Sequence, residues 1–358
     1  MQPLLRRVLA RCAFAVAVPA VVAVTAAPAG ACGGLVGANG TIRLTRTTTL
    51  AAYHNGVERY VTSFEFSGQG KAVGSIVPLP GIPSKVERGG SWTLQRLERE
   101  VAPPIRAAEF DAAAAPVARN AAQVILQTQI DALDITILKG GGSEVGKWAV
   151  DNGFLLTPDA PAMLDFYARR SPIFMAARFD VSRAQRLQQV SGDGTPIMLT
   201  IPTHEPWVPL HILSLGLDKS AVVDADVFLL TDNQPKLLAG GSGLSLKRNE
   251  PANAQLLDDL RSDKHMGWVP DRMWFTYLRL EVPAGQLGYD LAISTHSGAV
   301  PRLADTGVDK AAARPILAPQ PGSSVWPMFA AVFVGGIVFL LLSVHTRRRA
   351  RAQLGAAA

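Results

Sequence analysis

The side chains able to do chemistry are few, and they do not fall into a familiar set. The chain holds two cysteines, Cys12 and Cys32, and Cys12 lies in a leader expected to be removed. Cys32 is then a lone thiol with no intrachain disulfide open to it. An odd cysteine in an exported chain points to lipid attachment, intermolecular pairing or a free thiol. A lipoprotein signal places an aliphatic residue three positions before the cysteine, and Ala29 stands there. As a nucleophile, Cys32 would need a neighbouring base to raise its thiolate fraction. A structural cysteine is the plainer reading.

His204-Glu205 opens like a zinc-protease helix, but the second histidine one helical turn later is absent and Pro206 interrupts any helix. His211 is seven residues from His204, an odd separation that puts the two on opposite faces of a regular strand. His204, Glu205 and His211 are therefore metal candidates only with a bulge between them, and no cofactor is expected. Asp131 and Asp134 are also an odd number apart and read as turn acids. Gly140-Gly141-Gly142 before a helix could hold an anion on backbone N–H groups, but it lacks the lysine and spacing of a phosphate loop. No serine sits in a Gly-x-Ser-x-Gly elbow. Trp268, Trp274, Phe275 and Tyr277 could line a carbohydrate groove, although a strand packed on a core explains most of them.

The two ends of the chain carry the clearest signals. Arg6, Arg7 and Arg11 precede an apolar run and the small residues Ala29-Gly30-Ala31, the three parts of a secretory signal over residues 1–31. Val325 to Val344 is uncharged and long enough, as a helix, to cross the hydrocarbon core of about 30 Å. Trp326 stands at its outer edge, and Arg347, Arg348, Arg349 and Arg351 follow it, which keeps the tail 345–358 in the cytoplasm. These features predict a single-pass plasma-membrane protein whose N-terminal domain is extracytoplasmic.

The basic pI of about 9.5 belongs to those ends. Without the three leader arginines and the four tail arginines, 28 basic residues face 29 acidic ones, so the outer domain has a net charge near −1. A nucleic-acid partner requires a basic stripe, and none is expected here.

Between the ends, residues 32–300 read as one extracytoplasmic α+β domain, with largely antiparallel sheet and several short helices. His54-Asn55-Gly56 joins two alternating strands, the second over 57–66. Ser91 can cap a helix with Leu94, Leu97 and Val101 on one face. Val145, Trp148 and Ala149 face inward on a helix that stops at Asn152-Gly153. Further strands are expected near 124–130, 133–138, 173–179, 196–201, 225–231, 273–282 and 289–294, and further helices at 159–169 and 253–264. Residues 103–121, rich in Ala and Pro, read as a loose insertion. Five prolines between 301 and 327 suggest a stiff stalk over 301–324.

Several segments together resemble a known pattern. They are Ala31-Cys32-Gly33-Gly34, Ile76-Val77-Pro78-Leu79-Pro80, Trp148 to Phe154, Leu164-Asp165-Phe166-Tyr167 leading into 173–179, and Trp207-Val208-Pro209-Leu210. They are similar to the bacterial secreted family catalogued as domain of unknown function 2330, over most of residues 31–300. The resemblance implies export and often membrane attachment, and it implies no reaction, ligand or catalytic residue. Many members carry a second cysteine soon after the first; this chain does not, so no disulfide is carried over. Separately, Leu303-Ala304-Asp305-Thr306-Gly307 resembles the Leu-Ala-x-Thr-Gly signal that one sortase class of high-GC Gram-positive (actinobacterial-type) cells cuts between Thr and Gly. A Gly-terminated turn at the end of the domain competes with that reading and is preferred.

The expectation is a membrane-anchored envelope protein, more a binding or structural module than an enzyme, whose partner is an envelope protein or cell-wall component. The rivals are an extracytoplasmic hydrolase or thiol- or metal-dependent enzyme using Cys32 or the His204/Glu205/His211 region, and a sortase-attached wall protein using Leu303, Ala304, Thr306 and Gly307.

Overall fold

The computed structural model describes residues 34–37, 43–67, 72–101, 122–188, 195–295, 301–307 and 314–315. The leader, Cys32, the insertion 103–121, the span 325–344 and the arginine tail lie outside the described residues. Among those described, no helix is long and apolar enough to cross a membrane.

The strands that build the core are apolar on both faces, and this dictates a layered molecule. One sheet has seven strands in the order β13-β14-β11-β2-β3-β9-β5. These are β2 (Arg43–His54), β3 (Val57–Ser67), β5 (Lys85–Arg88), β9 (Ile197–Pro202), β11 (Val222–Thr231), β13 (Leu244–Pro251) and β14 (Trp274–Pro283). All its pairings are antiparallel except β2 with β11. A second, fully antiparallel sheet has the order β1-β4-β8-β7-β6. It uses β1 (Gly34–Gly37), β4 (Ala72–Leu79), β6 (Gln123–Ile130), β7 (Leu133–Lys139) and β8 (Ile173–Asp180). A third, small sheet joins β10 (Trp207–Val208), β12 (Lys236–Ala239), β15 (Leu291–Ser294) and β16 (Arg314–Pro315). The α+β class and its antiparallel bias follow the sequence reading.

Alternation assigns each face. On β11, Val227 and Leu229 enter the core shared with Ile135 and Met175 of the five-stranded sheet, while Phe228 and Leu230 point the other way. The outward residues are covered by α1 (Trp92–Val101) and α4 (Ala254–Ser262), through Leu97, Leu257 and Leu260. On the far side, α2 (Gly142–Asp151) and α3 (Ala160–Ala168) cover Leu138 and Phe174 with Val145, Trp148 and Leu164. The order of layers is helices, sheet, sheet, helices, with facing sheets about 10 Å apart as side-chain interdigitation requires.

Local chemistry explains most element ends. Asn55 and Gly56 both take positive φ, the two-residue hairpin turn that an Asn-Gly pair favours. The first-turn N–H groups of α1, at Trp92 and Thr93, donate to the Asp263 carboxylate, not to the expected Ser91. Gly90 is what lets Asp263 approach, because a Cβ there would lie 2.0 Å from its carboxyl. At α2 the Gly141 N–H donates to Glu144 of the same helix, which occupies the anion position that the triple glycine suggested. Asp131 does sit in the β6–β7 turn, whereas Asp134 lies within β7 itself. Trp274, Phe275 and Tyr277 belong to β14, and Phe275 is core.

The fold also runs past its expected end. Residues 303–306 form a 3-10 turn, and β16 pairs with β12, so these described parts of the 301–324 stretch belong to the fold.

Leu229 is fully buried between the two large sheets. Leu229→Ala is expected to lower the unfolding free energy by about 2–5 kcal/mol in urea titration. A cost below about 1 kcal/mol would contradict the layer assignment.

Candidate functional site

A fully buried carboxylate, Asp290, joins four segments just before β15. Its Oδ1 accepts from the Tyr167 hydroxyl at 2.8 Å, the Leu210 N–H at 2.8 Å and the His211 N–H at 3.2 Å. Its Oδ2 accepts from Arg170 Nη1 at 2.9 Å. Its own N–H donates to the Thr306 carbonyl. Local sequence prepares each partner. Tyr167 is on the buried face of α3, and Arg170 follows directly where that helix ends. Pro209 closes β10, and the 3-10 turn after it (His211–Ser214) starts with N–H groups that have no partner of their own. Asp290 takes two of them, and the Tyr167 oxygen accepts a third from Ile212 at 2.9 Å.

The aromatic neighbours fix the arginine. The Arg170 guanidinium lies 4.0 Å from the Trp207 ring centroid. Trp207 in turn stacks on Tyr167, with centroids 5.8 Å apart and an interplanar angle of 12°. Burial pushes the Asp290 carboxyl up, opposed by Arg170, Tyr167 and two backbone N–H groups. With four donors around it, the centre is built for the carboxylate form. A second acid, Glu58, is fully buried and has neither carboxylate oxygen in a hydrogen bond of good geometry. Burial pushes it up to about 8, against the pull of Arg170 and the Trp207 backbone N–H.

Arg170 also lines a cavity of about 480 Å³, whose wall includes His204, Glu205, Arg302, Ala304 and Asp305. Two sequence candidates, His204-Glu205 and the Leu303–Gly307 motif, thus meet at one opening. His204 and Glu205 are exposed there, and Arg302 pairs with Asp305 at 3.1 Å.

His211 goes elsewhere. The tight turn after Pro209 carries it to a separate cavity of about 630 Å³, beside Phe166 and Arg169. Its ring meets Phe166 edge-on at 4.7 Å, its Nδ1 is buried without a partner, and burial lowers its pKa to about 4. The bulge that would bring His204, Glu205 and His211 to one metal is therefore not formed. Among the described residues, no group of three or more His, Cys, Asp or Glu side chains is placed to hold a metal ion.

The sortase-like motif is folded in place. Thr306 is fully buried, and Gly307 closes the 3-10 turn at a φ of +79°. A Cβ at Gly307 would sit 2.4 Å from the Phe166 ring. The Thr306–Gly307 bond is packed against the domain and is not presented as an extended strand. Cys32, Arg347, Arg348, Arg349 and Arg351 lie outside the described residues.

The residues the sequence left unmarked are Glu58, Arg170 and Asp290. A signal existed for Glu58, which shares a strand face with Tyr60 and Thr62 and so is directed inward. Asp290, between Tyr289 and Leu291 in an apolar stretch, carried the same kind of sign.

The two perturbed groups give stability a definite pH dependence. Between 4.5 and about 8 the folded chain keeps a Glu58 proton that the unfolded chain has released, so this group makes stability fall as pH rises. Between about 4 and 6.5 the unfolded chain binds a His211 proton that the folded chain lacks, so this group makes stability rise with pH. The contributions oppose each other up to 6.5, and only that of Glu58 continues from there to about 8. Glu58→Gln is expected to remove the decline between 6.5 and 8 in urea titrations at stepped pH. An unchanged slope in that variant would contradict the assignment.

Comparison with known proteins adds family membership. No curated protein matches the chain. Among solved structures, the crystal structure of baculovirus P35 is similar at 9% identity and a TM-score of 0.37, covering 77% of this chain and 98% of that one. A likeness at that score bears on neither fold nor function. The family described as uncharacterized protein conserved in bacteria (DUF2330) matches residues 26–231, a range that holds Glu58, Tyr167, Arg170 and Trp207 but stops at the end of β11. The chain belongs to that DUF2330 family.

Proposed function

We propose that this DUF2330 protein is a single-pass envelope protein whose outward domain is a binding module, and that the Arg170 cavity receives a carboxylate-bearing envelope component. The observation that carries the reading is the fixed guanidinium. Arg170 is held by a buried carboxylate and an indole face while still forming part of an open cavity wall. A pre-positioned fork suits a carboxylate and loses little entropy on binding. The rim carries both charge signs, Arg302 with Glu205 and Asp305, which suits a ligand bearing amine as well as acid groups, as wall stem peptides do. Export by the 1–31 leader and anchoring by the 325–344 span put such components within reach. The packing of Thr306 favours the span as the lasting anchor over release by cleavage at 306–307.

Two experiments test this. The full chain in detergent, titrated calorimetrically with soluble muropeptides bearing free carboxylates, is expected to bind saturably. Arg170→Lys, which keeps the charge and loses the fork, is expected to weaken binding by about tenfold or more. A folded Arg170→Lys protein with unaltered affinity would defeat the proposed site. For topology, Ala358→Cys in a Cys32→Ser background is expected to react with a membrane-impermeant maleimide only after the membrane is opened. Labelling in intact cells would reverse the orientation.

A further inference from the structure

Resting on the reading of Arg170 as the anchor of a ligand carboxylate, we infer that a proton on Glu58 controls that binding. The site holds its ligand while Glu58 is neutral and releases it once Glu58 is ionised. Glu58 lies in β3, opposite Tyr53 of β2 and Ile201 of β9. Tyr60, two positions on, joins the core between the large sheets, and alternation directs Glu58 to that same face. The acid is fully buried, and neither carboxylate oxygen accepts a hydrogen bond of good geometry. Desolvation without compensating donors favours the neutral form. Trp207 connects this acid to the cavity. Its backbone N–H and the Arg170 guanidinium are the groups that draw Glu58 toward ionisation, and its indole carries that guanidinium 4.0 Å from the ring centroid.

The two acids near Arg170 therefore differ in what they hold. Asp290 meets four donors and keeps its charge, whereas Glu58 lacks them and keeps its proton. Asp290 and Arg170 then cancel, and a ligand carboxylate can share the guanidinium that also faces the cavity. Ionised Glu58 makes the centre net negative before any ligand arrives and competes for the same guanidinium. Charges act on one another beyond direct contact where water is scarce, so Glu58 need not touch Arg170 to weaken its hold. Only a proton has to reach Glu58, and its burial is no obstacle to that. The other titratable groups facing it are Tyr53 across the register on β2 and Tyr60 on its own strand; β9 offers Ile201. Phenols ionise at about 10 in water, and burial pushes Tyr53 higher.

The test is calorimetry of the full chain in detergent with the soluble muropeptides at pH 7 and pH 9, one unit either side of the value of about 8 to which burial pushes Glu58. Glu58→Gln keeps the shape of the neutral acid and cannot ionise. Across that interval, wild-type affinity is expected to fall about tenfold further than that of Glu58→Gln. Rim groups and ligand amines titrate alike in both proteins, so the difference belongs to Glu58. Should the variant not fold, wild type alone gives a second reading with an amine-acetylated muropeptide. Binding midway through the interval is expected to take up about half a proton, seen as a heat that varies with the ionisation heat of the buffer. Equal falls in wild type and folded Glu58→Gln would overturn the inference, as would a heat independent of the buffer. Absence of saturable wild-type binding at the lower pH would defeat the Arg170 reading and the proton control with it. Saturable binding without the Glu58-dependent fall would defeat the proton control alone.

Discussion

A single buried carboxylate holds together parts of the chain that are far apart in sequence. Asp290 connects the end of α3, the turn after β10 and the C-terminal turn at 303–306. It also sets the orientation of Arg170. Burying an ion costs several kcal/mol unless its lone pairs are satisfied, and here four donors share the task. Removing either member of the Asp290–Arg170 pair would leave the other uncompensated in the interior, which costs about 3–5 kcal/mol. The same arrangement that makes the centre costly to disturb makes the guanidinium rigid, and rigidity is what a recognition group needs.

The layers explain why that centre lies where it does. Two sheets with apolar residues on both faces need helices outside them, and α3 brings Tyr167 and Arg170 to the margin of one such layer. The small third sheet then supplies Trp207 and positions Asp290 ahead of β15. The family match ends at residue 231, yet β13 and β14 continue the seven-stranded sheet and β15 follows Asp290. The matched region alone therefore has neither a complete sheet nor a complete ion pair. The folded unit extends to at least Pro315.

Much of this was legible in the sequence. Asn55-Gly56 announced its hairpin, Val145, Trp148 and Ala149 their helix face, and Leu133, Ile135 and Ile137 their strand, because each signal is local. The cap of α1 was not legible, since Asp263 reaches it from 170 positions along the chain. The Asp290 centre was not legible for the same reason: its donors and acceptor are spread from Tyr167 to Asp290, and no spacing rule links them. The prolines at 301 and 315 gave no sign that residues 303–306 and 314–315 join the fold, because proline reports extended backbone and says nothing about whether that backbone pairs. Strand alternation does not decide the placement of His204 and His211, because β10 is only two residues long; the turn after Pro209 is what carries His211 to a different cavity.

On the proposed topology, the clamped arginine would hold carboxylate-bearing envelope molecules near the membrane. The most direct measurement is a crystal structure of the chain with a carboxylate-bearing muropeptide. A carboxylate oxygen within about 3 Å of an Arg170 Nη, with the guanidinium still resting on Trp207, is the result this account predicts. The same fragment bound elsewhere, or Arg170 swung away from Trp207 and Asp290, would contradict it.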